Sequence, residues 1–267
     1  MDKETDRFPL HTAARLGQVS VAEGLLKTDP KLSKRKDDDD RYPIHWAASS
    51  NSLDIVNLLA DQKGFDPDVQ VTSINAHCAR SLSLSHHIVV DRSSISLQDG
   101  SGWTPLMIAA SVPDSEPVLK LLLQRGADPI AQIPWLMISQ SALHFVASKK
   151  DLDTARLLIE NKASTRVRNK RGQYAIHRAA AVGSQPLVSL LLRNRSPIDA
   201  TDADGYTPLH HAIAEGHGDV AILLLKEGAD HTLKTSEDQL AIDLAPDKDV
   251  RRYIIQGAER EGIDLSE

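Results

Sequence analysis

Residues 205–230 read GYTPLHHAIAEGHGDVAILLLKEGAD, and this stretch decides the fold. Thr207 stands where a helix N-cap accepts a backbone N–H, and Pro208 suits the first helical position, whose N–H has no helical partner in any case. Ala212 and Ala214 keep the helix that follows thin. Gly216 and Gly218 supply the left-handed or otherwise strained backbone needed to end it and turn the chain back. Val220, Ile222, Leu223, Leu224 and Leu225 form a wide apolar stripe at helical spacing, which predicts a second helix closed by Gly228. Just upstream, Asp202-Ala203-Asp204-Gly205 is turn chemistry and predicts a protruding hairpin.

The same phrase recurs along the chain: PLHTAA at 9, PIHWAA at 43, PLMIAA at 105, ALHFVA at 142, AIHRAA at 175, PLHHAI at 208 and AIDLA at 241. The position held by His210 falls in turn on His11, His45, Met107, His144, His177, His210 and Asp243, with steps of 34, 62, 37, 33, 33 and 33 residues. The period is therefore 33. The second-helix stripe recurs with it, as Ile55-Val56-Leu58-Leu59, Leu119-Leu121-Leu122-Leu123, Ala155-Leu157-Leu158-Ile159 and Val188-Leu190-Leu191-Leu192.

A 33-residue period carrying T-P-L-H-x-A resembles the ankyrin repeat. It implies an all-α solenoid of seven repeats, each a helix-turn-helix plus a hairpin loop, within one domain over 1–267. The repeats fall at about 7–39, 40–69, 99–133, 139–171, 172–204, 205–237 and 238–267. One such unit cannot bury both helix faces, so neighbours must stack into a continuous core. The first and last copies read as caps; the last has Asp243 in place of histidine and runs into the polar GAEREGIDLSE.

Composition agrees. Aromatic residues are only 4% of the 267, so a core must be built from Leu, Ile, Val and Ala, the filling of small packed helices. No apolar run reaches the length of a membrane span, and MDKETDRFPL has no hydrophobic segment of a signal peptide, so a cytoplasmic and nuclear protein is expected. A single cysteine, Cys78, excludes an internal disulfide framework and a multi-cysteine zinc module. The net charge of −6 argues against nucleic acid as a partner. The cluster Lys31, Lys34, Arg35 and Lys36 is cancelled at once by Asp37, Asp38, Asp39 and Asp40, which reads as a solvated turn rather than a nuclear-import signal.

The period breaks twice. Between His45 and Met107 there are 29 residues too many, from about 70 to 98, with neither the T-P cue nor the apolar stripe. Three readings stand: a disordered insertion, a metal loop through His77, Cys78, His86 and His87, or translated intron sequence. The metal reading is the weakest of the three. A second irregularity, at 130–138, is apolar where a polar hairpin is expected, and its Trp-Leu-Met-Ile run reads equally as a binding hot spot or a local misfit.

Neither enzyme nor cofactor chemistry is expected. The histidines at 11, 45, 144, 177 and 210 sit one solenoid step apart and form a ladder instead of converging, so each is expected to bond the backbone of its own or a neighbouring hairpin. The chain contains no phosphate-binding loop, no G-x-S-x-G elbow and no H-E-x-x-H pair.

In this architecture the residue before T-P and the residue after the histidine face the concave side, free of packing duty. These positions hold Arg41, Trp46, Trp103, Ile108, Gln140, Phe145, Gln173, Arg178, Tyr206 and His211. Trp, Tyr and Arg dominate protein interfaces, which points to a protein partner, although Trp46 and Trp103 could equally be part-buried between inner helices. The charged candidates Asp39, Arg41, Asp99, Lys149, Arg178 and Glu215 imply a partner of mixed charge.

DDDDRYPIHWAASS, DGSGWTPLMIAAS, ALHFVASKKD, AIHRAAAVGS and GYTPLHHAIAEGHGD, in that order, resemble the gankyrin family of proteasome regulatory-particle assembly chaperones. The resemblance implies a monomeric chaperone that holds the C-terminal domain of one base ATPase subunit on its concave face and delays its engagement with the core particle. Carried over by position, the contact residues are Asp39, Arg41, Trp46, Trp103, Lys149, Arg178 and Glu215. The family's L-x-C-x-E motif, associated with retinoblastoma-protein binding, would fall on 211–215 and keeps only Glu215, so that activity is not carried over. A generic ankyrin adaptor in a signalling or transcription complex is the alternative.

Overall fold

The computed structural model of the chain describes residues 7–69, 103–131 and 140–265. It falls into two compact units, Met1–Leu136 and Met137–Glu267. In the first, the helices are α1 (Pro9–Arg15), α2 (Val19–Thr28), α3 (Pro43–Ser49), α4 (Leu53–Ala60), α5 (Pro105–Ser111) and α6 (Glu116–Gln124), with a 3-10 turn at Pro30–Lys34. The second holds α7 (Ala142–Ser148), α8 (Leu152–Glu160), α9 (Ala175–Ala181), α10 (Gln185–Arg193), α11 (Pro208–Ala214), α12 (Gly218–Lys226) and α13 (Lys248–Arg260), with a 3-10 turn at Ala241–Leu244. Among the described residues there is no strand, only an isolated antiparallel bridge between Lys234 and Leu240. Both irregular stretches, 70–98 and 130–138, lie wholly or largely outside the described residues.

The six inner α-helices are each seven residues long, and α11 shows both of its ends specified. Thr104 and Thr207 cap α5 and α11 by accepting the backbone N–H groups of Met107 and His210. At the far end of α11, Gly216 adopts φ +76°, the Gly216 N–H bonds the Ile213 carbonyl and the His217 N–H bonds that of Ala212, which is a Schellman stop. Gly218 departs from expectation. It is the first residue of α12, outside the left-handed region, and its role is space: a Cβ there would lie 2.6 Å from the Tyr253 ring of α13.

Alanine lets the inner helices approach. Within the first unit α1 packs on α3 and α3 on α5; within the second α7 packs on α9 and α9 on α11. Ala13, Ala14, Ala47, Ala48, Ala109, Ala147, Ala179, Ala180 and Ala212 are essentially inaccessible. The outer helices contribute the larger side chains. Ile55, Val56, Leu119, Leu122, Leu158, Leu187, Val188, Leu191, Val220 and Leu224 are fully buried, each worth about 1.5 to 3 kcal/mol when removed from water. In the repeat at 238–267 the inner helix shrinks to the 3-10 turn, and Asp243 is exposed and ion-paired with Arg251 at 3.2 Å.

Candidate protein-binding face

The histidines are structural ties. In α3, α7, α9 and α11 the third helical residue accepts the backbone N–H of its own N-cap on Nδ1: Tyr42 to His45 at 3.1 Å, Ser141 to His144 at 3.2 Å, Tyr174 to His177 at 3.1 Å and Thr207 to His210 at 3.3 Å. An accepting Nδ1 carries no proton, so Nε2 must donate. In three of the four it does so to carbonyls in the following hairpin region: Val69 from His45 at 3.0 Å, Gln173 from His144 at 3.0 Å and Ala200 from His177 at 2.9 Å, whereas Nε2 of His210 is buried without a partner among the described residues. His11 likewise bonds the Arg41 carbonyl at 3.0 Å. Burial pushes the pKa of His45, His144 and His177 down to about 4 and lowers those of His11 and His210, so these rings stay neutral. Among the described residues no three His, Cys, Asp or Glu side chains gather to hold a metal. His77, Cys78, His86 and His87 lie outside the described residues.

The hairpins follow a second rule. In four repeats a side-chain oxygen eight residues before the histidine position folds the turn. Asp37 accepts the N–H groups of Asp39 and Arg41, at 3.0 and 2.8 Å. Asn169 accepts those of Arg171 and Gln173, both at 2.9 Å. Asp202 accepts those of Asp204 and Tyr206, at 3.1 and 2.9 Å, and Thr235 those of Glu237 and Gln239, both at 3.3 Å. These are Asx-type turns that repeat with the solenoid period.

In the first unit, this turn brings several site residues together. Arg41 lays its guanidinium 4.9 Å from the centre of the Trp46 ring, and Arg15 lies 5.8 Å from it. The Trp46 indole N–H donates to Asp37 Oδ2 at 2.7 Å. Phe8, His11, Thr12, Arg15, Asp37 and Trp46 line a recess of about 150 Å³. Asp39 is exposed at the turn, while Trp46 and Trp103 are half-buried. Asp99 lies outside the described residues.

In the second unit, Arg178 is half-buried on α9 and donates through Nε to Ser148 Oγ of α7 at 2.9 Å. Lys149 and Glu215 are exposed and occupy the same position in their repeats, one residue beyond α7 and α11. Phe145, Tyr206 and His211 are half-buried. Gln173 corrects the expectation of a free surface position. Only 6% exposed, it donates to Asp202 Oδ2 at 3.2 Å and accepts from Asn169 at 3.4 Å. His211 joins this network, its Nε2 bonding Asp202 Oδ2 at 2.9 Å. Burial would raise the Asp202 carboxyl, but its bonds with His211, the Tyr206 N–H and Gln173 together hold it below the ordinary value. Sequence reading missed Asp37, Asp202 and Arg15 as contributors. Extending the repeat alignment eight residues upstream exposes the first two.

The comparisons with known proteins agree with this geometry. The family model for ankyrin repeats in three copies matches residues 1–71 and 143–235, and the single ankyrin repeat matches 101–133. The chain belongs to the ankyrin-repeat family. The fold is shared with the ankyrin repeat domain of human ASB11 (TM-score 0.73, 18% identity, 93% of this chain and 97% of that one) and with that of Bcl-3 (0.68, 22%, 95% and 99%). The chain is 34% identical over 178 residues to the "Probable 26S proteasome regulatory subunit p28" of Saccharomyces cerevisiae, covering 66% of this ankyrin protein and 65% of that one. It is 31% identical over 114 residues to the "26S proteasome non-ATPase regulatory subunit 10" of Dictyostelium discoideum, covering 43% and 37%. An ankyrin repeat-containing protein of Schizosaccharomyces pombe is 33% identical over 152 residues, covering 55% and 50%. The chain thus spans 65% and 50% of the lengths of the S. cerevisiae and S. pombe relatives.

Proposed function

We propose that this ankyrin protein is a non-catalytic chaperone for assembly of the base of the proteasome regulatory particle. It works as a monomer in cytoplasm and nucleus and holds the C-terminal domain of one base ATPase subunit through hairpin and inner-helix residues, Asp39, Arg41, Trp46 and Trp103 in the first unit and Lys149, Arg178 and Glu215 in the second. The observation that carries this reading is the 34% identity over 178 residues to a proteasome regulatory subunit. The arginine-flanked Trp46, an aromatic and guanidinium pair of the kind that dominates protein interfaces, supports a protein partner. Mixed charge at Asp39, Arg41, Lys149 and Glu215 would set register and association rate more than total affinity.

The test is purification of the tagged chain from its source cells, followed by mass spectrometry of what remains bound. Recovery of base ATPase subunits without the complete core particle is the expected result. Recovery of signalling or chromatin proteins alone would overturn the proposal and favour a generic adaptor.

A further inference from the structure

The Asp37 carboxylate is used twice. Oδ1 takes the two backbone N–H groups that fold the hairpin, while Oδ2 takes the Trp46 indole N–H at 2.7 Å, within the short range of charge-assisted bonds. That hairpin carries Asp39 and Arg41, and Arg41 returns to stack on the ring that Asp37 holds. The second unit repeats the device with another side chain. Asp202 Oδ1 folds its hairpin, and Oδ2 meets Nε2 of His211, the residue in the same repeat position as Trp46. Where asparagine stands instead, at Asn169, its Oδ1 still folds the hairpin, and the matching inner-helix residue, Arg178, bonds Ser148 of the preceding repeat.

We propose that Asp37 is a positioning residue for partner binding: one carboxylate delivers Asp39, Arg41 and Trp46 as a preformed unit. The inference rests on the reading that this face binds a base ATPase subunit. A free tryptophan on a seven-residue helix would sample several rotamers, and a partner would have to select one at an entropic cost. With the indole N–H fixed from one side and the ring covered by Arg41, that selection is made before binding.

Asn169 indicates the discriminating substitution. Asp37→Asn keeps one oxygen, which retains two hairpin bonds if it stays on the backbone and gains only one if it turns to the indole. The hairpin therefore persists, and an amide donor faces the indole donor. The test titrates the wild-type chain and the variants Asp37→Asn, Trp46→Phe and the double variant with purified C-terminal domains of the base ATPase subunits, one at a time. The Asp39 and Arg41 amides and the tryptophan indole N–H are followed by NMR.

The expected result is roughly three- to tenfold weaker binding for Asp37→Asn, the scale of one side chain left to be ordered on association. Its Trp46 indole proton should exchange faster while the hairpin amides stay in place, and Asp37→Asn should add nothing in the Trp46→Phe background. Wild-type affinity in Asp37→Asn, or fully additive losses in the double variant, would overturn the positioning role and leave the partner assignment standing. Failure of every domain to bind the wild-type chain would overturn the partner assignment and the inference together.

Discussion

Mild acid should loosen this protein through its histidine ladder. His45, His144 and His177 are neutral in the fold, with pKa values lowered by burial to about 4, whereas an unfolded histidine titrates near 6.5. A base whose folded pKa is depressed takes up its proton more readily when unfolded. Its contribution is therefore complete above about pH 6.5 and is lost as the pH falls towards 4, where the folded ring also protonates. Between pH 7.5 and 5.5 each of the three rings should cost about 1.4 kcal/mol, so roughly 4 kcal/mol in all. About two thirds of this falls on Met137–Glu267, which holds His144 and His177. Asp202, whose carboxyl is held low, contributes its pH dependence only below the ordinary carboxylate range, outside this window. Urea unfolding followed by far-UV circular dichroism at the two pH values should show the midpoint falling by about 1 M, given a slope of about 3 kcal/mol per molar for a chain of this size. The dependence should shrink by at most about a third in His144→Gln, because His11 and His210 are shifted in the same direction and add to the total. An unfolding midpoint that is the same at both pH values would refute the neutral, doubly bonded histidines.

Two further results are expected. Gly205→Ala should destabilise the chain by about 2 to 4 kcal/mol in the same urea assay, because Gly205 has φ +82° and an added Cβ would lie 2.7 Å from the Ser236 nitrogen, so backbone strain and overpacking combine; a loss under about 1 kcal/mol would contradict the packed hairpin stack. Arg41→Glu together with Lys149→Glu should abolish binding to the partner ATPase domain with an unchanged far-UV spectrum, and retained binding would remove both residues from the interface.

The periodic features were legible in the sequence because repetition checks each reading against other copies. Thr207, the short alanine-lined helices, Gly216 and the Leu-rich outer stripe all sit where the 33-residue register puts them. The histidine ties were legible too, since a ladder cannot converge. The failures are informative in the same terms. Gly218 looks like a turn glycine beside Gly216, and only its distance from Tyr253 on a helix more than thirty residues later reveals that it serves space. Gln173 occupies a position that varies freely elsewhere, but here Asp202 from the next repeat reaches it. Asp37 was hidden in a run of four aspartates that sequence alone reads as solvated charge. What distinguishes it is the number of N–H groups pointing at it, a property of the folded turn. Asp99 stands four residues before Trp103, as Asp37 stands before Arg41, but it lies outside the described residues.

The most direct test of partner binding through the inner-helix face is hydrogen exchange read by mass spectrometry, with and without the base ATPase domain recovered from cells. Protection on binding should fall on peptides spanning 37–49, 142–149 and 175–182, which carry the hairpin and inner-helix residues named above, and leave α2, α4, α8 and α10 unchanged. Protection confined to those outer helices, with the inner-helix peptides unaltered, would contradict it.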